Sequence, residues 1–206
     1  MKLTHRYAHL WQKSGLLDEL LDKDRNPKPL VTYIKQLPKA AEKLARADGA
    51  DYADYYGWMG EVLCEFWLRL FGHRYDVFDV QDTSADQFQR GYDFTARSAF
   101  AEELQVQIQV KMRRDTEKSF LFKELYTFLD EGKKAGILPQ YLVLMVPTSQ
   151  LPWNEVLSYR DGFQARYGTR VRIITGEMMQ TDVRELPSAA KRHYNEEFFA
   201  RFKAAL

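Results

Sequence analysis

The sequence predicts an α/β fold in which a mixed central sheet is flanked by helices. An apolar period of three to four residues marks a long helix from residue 52 to about residue 71, and alternating apolar and polar residues mark a strand over 105–112. After residue 50 the predicted order is helix, three strands, helix, strand, helix, strand, helix. Consecutive strands followed by alternating elements are typical of a mixed sheet with helices on its faces.

The long helix anchors the predicted core. It carries an apolar stripe at Met59, Leu63, Phe66 and Leu70, and a glycine at position 72 ends it. The aromatic residues of the last predicted helix form a docking face, either for the sheet or for a second subunit. The other predicted elements are strands over 75–80, 91–98, 140–146 and 171–175 and helices over 117–132, 153–167 and 188–206.

Residues 1–50 are predicted to form a helical N-terminal extension to a domain of residues 51–206. Helical segments over 4–22 and from about Pro38 to Ala47 are separated by a polar stretch that contains two prolines. The chain of 206 residues suits one domain with such an extension.

Charge and cysteine usage exclude several classes of protein. The chain has 30 Lys and Arg against 29 Asp and Glu, a net charge of +1, which is not typical of an architectural DNA-binding protein. Nucleic-acid binding would therefore need a local basic patch. The one cysteine, Cys64, excludes an intramolecular disulfide and a Cys-rich zinc site, and is predicted to be a small buried hydrophobe.

The first residues contain neither an apolar signal core nor a membrane-spanning run, which predicts a soluble cytoplasmic protein without a membrane partner. His5 and His9 are four residues apart and could share one helix face. We do not expect a metal site from this pair, because no further ligands cluster with it.

Polar residues on two neighbouring predicted strands form the candidate catalytic group. On the third strand the apolar residues from Val106 to Met112 alternate with polar ones, so that Gln109 and Lys111 share the opposite face. On the second strand Tyr92 and Phe94 are expected to face one side and Asp93 the other. If the two strands pair as a hairpin, Asp93 lies next to Gln109 and Lys111.

A carboxylate, an amide oxygen and an ammonium group at one point suit phosphodiester hydrolysis. The carboxylate can hold a hard cation such as Mg²⁺, which acts as a Lewis acid on phosphoryl oxygen. The ammonium group of Lys111 can balance charge in the transition state. The alternative is that these polar residues only meet solvent on an exposed strand face.

The series Gly91-Tyr92-Asp93, then Gln109-Val110-Lys111, resembles the core motif of the PD-(D/E)XK nucleases, in particular the Gln-x-Lys variant of the Mrr-like restriction endonucleases. Glu61 lies in an apolar helix before these strands, as the family's helical glutamate does; Glu65, one turn later, is the fallback. The resemblance covers residues 55–147. A long loop before Asp93 and glutamine in place of an acid at position 109 depart from the commoner pattern.

The resemblance implies a restriction-endonuclease-like fold and an Mg²⁺-dependent endodeoxyribonuclease, in which Mn²⁺ is expected to be able to replace Mg²⁺. Asp93, Gln109 and Glu61 are then the metal ligands, and Lys111 completes the catalytic set. The implied biology is restriction, phage defence or mobile elements. Double-strand cutting on this fold implies two active sites and hence a homodimer, whereas helicase or methyltransferase functions would come from partners.

Basic residues after the third strand are candidate DNA contacts, because cations that bind phosphates position a duplex without specifying sequence. A solvated basic patch is the alternative for these residues, and Asp86 is a candidate extra metal ligand. The aromatic residues near Trp58 could stack on bases, although packing is the preferred interpretation. The candidate DNA contacts are Arg113, Arg114, Lys118 and Lys123.

Two other functions remain open from the sequence. Gln109 is a weaker metal ligand than a carboxylate, which is compatible with a DNA-binding or complex-assembly module that has lost catalysis. The helical extension is compatible with a nuclease toxin or a subunit that binds an inhibitor or another partner through residues 1–50.

Overall fold

The computed structural model describes residues 2–83, 92–99, 105–112, 123–134, 136, 138–149, 151 and 153–206. Within these ranges the strands are β1 (Phe78–Asp82), β2 (Phe94–Arg97), β3 (Gln105–Val110), β4 (Tyr141–Val146) and β5 (Arg170–Thr175). The helices are α1 (His9–Ser14), α2 (Leu16–Glu19), α3 (Leu30–Asp48), α4 (Tyr52–Phe71), α5 (Lys123–Lys134), α6 (Trp153–Tyr167), α7 (Thr181–Arg184) and α8 (Ser188–Ala205), with 3-10 turns at Gly72–Tyr75 and Met178–Gln180.

The five strands form one mixed sheet in the order β1-β2-β3-β4-β5. The pairs β1/β2 and β2/β3 are antiparallel, whereas β3/β4 and β4/β5 are parallel. Every residue of β4 is buried, as expected for a parallel strand covered on both faces. The predicted mixed α/β fold with flanking helices is therefore confirmed.

Two hydrophobic cores lie on the two faces of the sheet. One contains Val106 and Ile108 of β3 together with side chains of α3, α4 and α8. The other contains Leu142 and Leu144 of β4 together with side chains of α5 and α6. Tyr92 belongs to the second core and Phe94 to the first. The expectation that these two aromatics face one side is wrong, because Tyr92 and Asp93 precede β2 and do not follow its alternation.

Helix α4 runs through the centre of the first core. Asp51 caps its N-terminus, accepting a hydrogen bond of 2.8 Å from the backbone N–H of Ala53. Every residue from Val62 to Leu68 is buried, whereas the predicted stripe would bury only one face of the helix. Other elements therefore cover this part of α4 on several sides. Cys64 is fully buried, as predicted.

The first 50 residues are less helical at the start and more helical later than predicted. The segment over 4–22 contains only the short helices α1 and α2, divided by Gly15, whose φ of 72° is left-handed. The later helix begins at Leu30, not Pro38, which lies inside it. Burial of its apolar face, including Tyr33 and Leu37, offsets the backbone hydrogen bond that proline cannot make.

The N-terminal helices and the C-terminal helix share the core of α4. Trp11 is fully buried, and its indole N–H donates to the carbonyl of Met59 at 3.0 Å. Phe202 of α8 meets Trp11 edge to face, with ring centroids 4.8 Å apart. Phe198 of α8 meets Tyr33 of α3 and Phe66 of α4 edge to face, so the aromatic face of α8 docks onto helices of its own chain, which neither predicted alternative named. No helix in the described ranges is both long and apolar enough to cross a membrane.

Candidate functional site

Asp93 is fixed by its backbone between β1 and β3. Its N–H donates to the carbonyl of Ile108 at 2.9 Å, and its own carbonyl accepts from the N–H of Thr83 at 3.1 Å. The carboxylate accepts from the backbone N–H of Val110 at 2.5 Å. The side chain therefore lies against the C-terminal end of β3, where the hairpin prediction located it.

Lys111 and Gln109 lie at the same end of β3. The backbone N–H of Lys111 donates to the carbonyl of Met145 at 2.9 Å, which extends the parallel β3/β4 pairing by one residue. Gln109 is buried and pairs in register with Leu144, so its side chain shares the sheet face of the second core. The hydrogen bonds of Asp93 to Ile108 and Val110 bracket Gln109 in the chain.

Glu61 approaches this strand end from α4. Gly60 lets α4 lie close to the residues that follow β3, since a β-carbon there would overlap the present position of the Met112 side chain. The Glu61 side chain is 14% exposed, and its charge acts on Asp93 strongly enough to perturb that carboxyl group. Residues from α4, the start of β2 and the end of β3 thus meet at one edge of the sheet.

The pKa of Asp93 is raised from 3.8 to about 7. Desolvation by the surrounding protein is the largest cause, and repulsion by the Glu61 carboxylate is the second. The Val110 N–H and the charge of Lys111 oppose this rise. Two carboxyl groups that disfavour each other's charge in a desolvated position are a common feature of functional sites.

His5 belongs to this site although its sequence position gives no sign of it. Its side chain is fully buried, and its Nε2 lies 3.0 Å from Oε2 of Glu61. His5 precedes α1, whereas His9 begins that helix and is exposed, with Nδ1 3.0 Å from the carbonyl oxygen of Arg6. The two histidines therefore do not share a helix face.

Glu65 has a structural role rather than the fallback role in metal binding. Its carboxylate is fully buried and accepts from the backbone N–H of Thr4 at 2.9 Å, the hydroxyl of Thr4 at 2.7 Å and the N–H of His5 at 3.1 Å. Arg69 lies 2.7 Å away on the next turn. These contacts occupy the carboxylate and hold the N-terminal segment on α4.

An aromatic stack borders the site on the side of α4. The rings of Tyr7 and Trp58 are stacked with centroids 4.0 Å apart, and the guanidinium of Arg6 lies 4.5 Å above the Tyr7 ring. Trp58 precedes Glu61 by one helical turn. Arg6 is exposed, so its positive charge lies at the protein surface on this aromatic stack.

Several predicted residues lie outside the described ranges, and for Lys123, which begins α5, only the backbone is described. Arg97, exposed on β2, forms an ion pair with Asp79 of β1. In the described ranges no set of three His, Cys, Asp or Glu side chains is grouped to hold a metal ion. The predicted residues outside those ranges are Asp86, Gly91, Arg113, Arg114 and Lys118.

A scan of the chain against protein-family models gives no match, and a search of curated proteins gives none either. Function is therefore inferred from the residues and their geometry.

Proposed function

We propose that the protein is a metal-dependent nuclease that hydrolyses DNA phosphodiester bonds on a restriction-endonuclease-like fold. The observation that carries the proposal is the desolvated carboxylate of Asp93 against the end of β3, where the like charge of Glu61 and the opposite charge of Lys111 both act on it. The order of elements also supports it: α4, the antiparallel strands β1 to β3, α5, and β4 parallel to β3. This is the helix–three-strand–helix–strand order of the nuclease family that the sequence resembles.

The carboxylate pair fits Mg²⁺. This ion is bound in proteins by one or two carboxylates and keeps several of its waters, so two carboxylates suffice where a third acidic ligand is missing. A cation held by Asp93 and Glu61 would offset the repulsion between them, which after desolvation is the second cause of the raised pKa of Asp93. Gln109 remains the predicted amide ligand. When bound, the metal supplies Lewis acidity and a lowered pKa for a bound water.

The residues of the chain have distinct roles in this proposal. Asp93 and Glu61 bind the cation. The Lys111 ammonium group stabilises negative charge that develops on the phosphoryl oxygens during attack by water. Asp93, whose charge interacts with that of Lys111, is desolvated by the surrounding protein. Charges act more strongly on each other where water is excluded, which strengthens the interaction of Lys111 with the substrate.

The first test is cleavage of supercoiled and linear DNA with Mg²⁺, with Mn²⁺ or with EDTA, comparing wild type with Lys111→Ala. We expect cleavage by the wild type only with a divalent metal, and a rate about 10²-fold lower in the variant, since one electrostatic donor is lost. Equal rates in the two proteins would contradict the role of Lys111. If the protein binds DNA but does not cleave it with any of the metals, the result would favour an inactive DNA-binding module. That alternative rests on Gln109, which is a weaker metal ligand than a carboxylate.

Arg6 is expected to contact the phosphate backbone of the substrate. Arg6→Ala should raise KM for DNA while kcat changes little, and should reduce the slope of log Kd against log salt concentration by about one. The matched control is Arg192→Ala, which removes another exposed arginine, on α8. An unchanged salt slope for Arg6→Ala, or the same effect in both variants, would remove Arg6 from the DNA-binding surface.

A further inference from the structure

Two hydrogen bonds fix the orientation of the His5 imidazole, which is buried next to two aromatic rings. Its ring lies 5.6 Å from that of Tyr7 and 5.8 Å from that of Phe94, between centroids. The backbone N–H of Tyr7 lies 3.2 Å from Nδ1, and only an unprotonated nitrogen can accept its hydrogen bond. The neutral ring therefore carries its proton on Nε2, which donates to Oε2 of Glu61 at 3.0 Å.

The chain around His5 cannot turn the ring away easily. The N–H groups of Thr4 and His5 both donate to the carboxylate of Glu65, at 2.9 and 3.1 Å. The N–H of Leu3 donates to the carbonyl of Ala205 at 3.1 Å. Two glutamates one turn apart on α4 thus have separate tasks: Glu65 holds the backbone of the N-terminal segment, and Glu61 receives the ring that this segment carries.

We propose that His5 is a positioning residue of the metal site. By donating to Oε2, it holds Glu61 in one rotamer, from which the carboxylate would bind the cation together with Asp93. Glu61 has three rotatable side-chain bonds, and a ligand held in one rotamer loses less entropy when it binds. This inference rests on the proposed function, and it makes the segment over 3–7 part of the site.

A buried histidine that merely fills space would have the same burial but no effect on the metal. Two variants separate these roles. His5→Leu fills the space with an apolar side chain of similar size but has no hydrogen-bond donor. His5→Gln has a side-chain amide that keeps an N–H donor near the position of Nε2. His9→Ala is the control, because His9 is exposed and bonded to Arg6.

The measurement is Mn²⁺ affinity of the full chain by electron paramagnetic resonance, without DNA, with folding checked by circular dichroism. We expect His5→Leu to weaken Mn²⁺ binding by about 10- to 100-fold, the usual cost of losing a hydrogen bond to a metal ligand. His5→Gln should restore most of the affinity, and His9→Ala should bind as the wild type does. Wild-type affinity in folded His5→Leu would overturn the proposal.

If His5→Leu does not fold, the role of His5 is still tested with the wild type and His5→Gln. In the wild type, the ¹⁵N shifts of the His5 ring should report an Nε2–H tautomer and should change when Mg²⁺ is added. An Nδ1–H tautomer, or shifts that saturating Mg²⁺ leaves unchanged, would overturn the role of His5. Wild-type protein that binds no Mn²⁺ would overturn the metal site as well, whereas Mn²⁺ binding lost in Asp93→Asn but retained without His5 would overturn the role of His5 alone.

Discussion

Asp93→Asn is expected to abolish metal-dependent DNA cleavage and, in EDTA, to make the fold more stable above pH 7. The amide is nearly the same size as the carboxyl group and keeps an oxygen that accepts from the Val110 N–H. It loses the negative charge that would bind the cation. We expect the rate to fall by about 10³-fold or more, since the metal contributes several kcal/mol of transition-state stabilisation.

The gain in stability follows from the raised pKa of Asp93. Between pH 3.8 and about pH 7 the native state binds more protons at this group than the unfolded state does. The free energy of unfolding of the wild type therefore falls as pH rises through this window, by up to about 1.4 kcal/mol per pH unit. Asparagine does not titrate, so the variant escapes this loss and should be more stable at pH 8 by on the order of 2 kcal/mol.

Thermal unfolding at pH 5 and pH 8, with EDTA or with Mg²⁺, measures both effects. Mg²⁺ should raise the Tm of the wild type at pH 8, because the folded state alone binds it, and should leave the variant unchanged. Asp18→Asn, which removes an exposed carboxylate paired with Arg25 at 3.7 Å, is the control and should change Tm little. A variant that is less stable than the wild type at pH 8 in EDTA would contradict the assigned electrostatics.

Glu65→Leu is expected to lower the free energy of unfolding more than any of the substitutions named above. The wild-type carboxylate is fully buried and accepts hydrogen bonds from Thr4, His5 and Arg69. Leucine leaves the backbone N–H groups of Thr4 and His5 without this acceptor, and Arg69, whose side chain is only 18% exposed, without its counter-charge. Removing one partner of a buried ion pair costs about 3–5 kcal/mol.

Urea denaturation measures the loss, and hydrogen exchange at the amides of Thr4 and His5 shows where it acts. Both amides should exchange much faster in Glu65→Leu if the segment over 3–7 detaches from α4. Glu42→Leu is the matched control, because it breaks an exposed pair with Arg46 on α3 and should cost less than about 1 kcal/mol. Equal losses in the two variants would mean that Glu65 does not hold the N-terminal segment.

The central part of the fold could be predicted from the sequence because its signals are local. Alternation in β3, the apolar run of β4 and the helical period of α4 each lie within one element and depend on burial alone. The N-terminal helices were mispredicted where a single residue opposes packing. The pattern predicts a helix start at Pro38, although tertiary burial keeps α3 intact around it, and it gives no sign that Gly15 divides α1 from α2.

Half of the candidate site could be predicted for the same reason. Asp93 directly precedes β2 and Lys111 directly follows β3, so the antiparallel pairing of these two strands brings both residues to one end of the hairpin. His5 and Glu61 are 56 residues apart, and nothing in the chain between them specifies that the N-terminal segment lies along α4. The different tasks of Glu61 and Glu65 likewise depend on which of them meets that segment.

The close approach of Gly60 to Met112 affects the size of the metal ion that the proposed site is expected to prefer. Glu61 follows Gly60 on α4 and Lys111 precedes Met112 after β3, so in the proposed site we expect a larger residue at position 60 to widen the gap between the helix and this strand end. Core packing, rather than loop movement, would then limit the size of the ion that this site holds. A wider gap would favour the longer oxygen distances of Ca²⁺ over the short, octahedral shell of Mg²⁺.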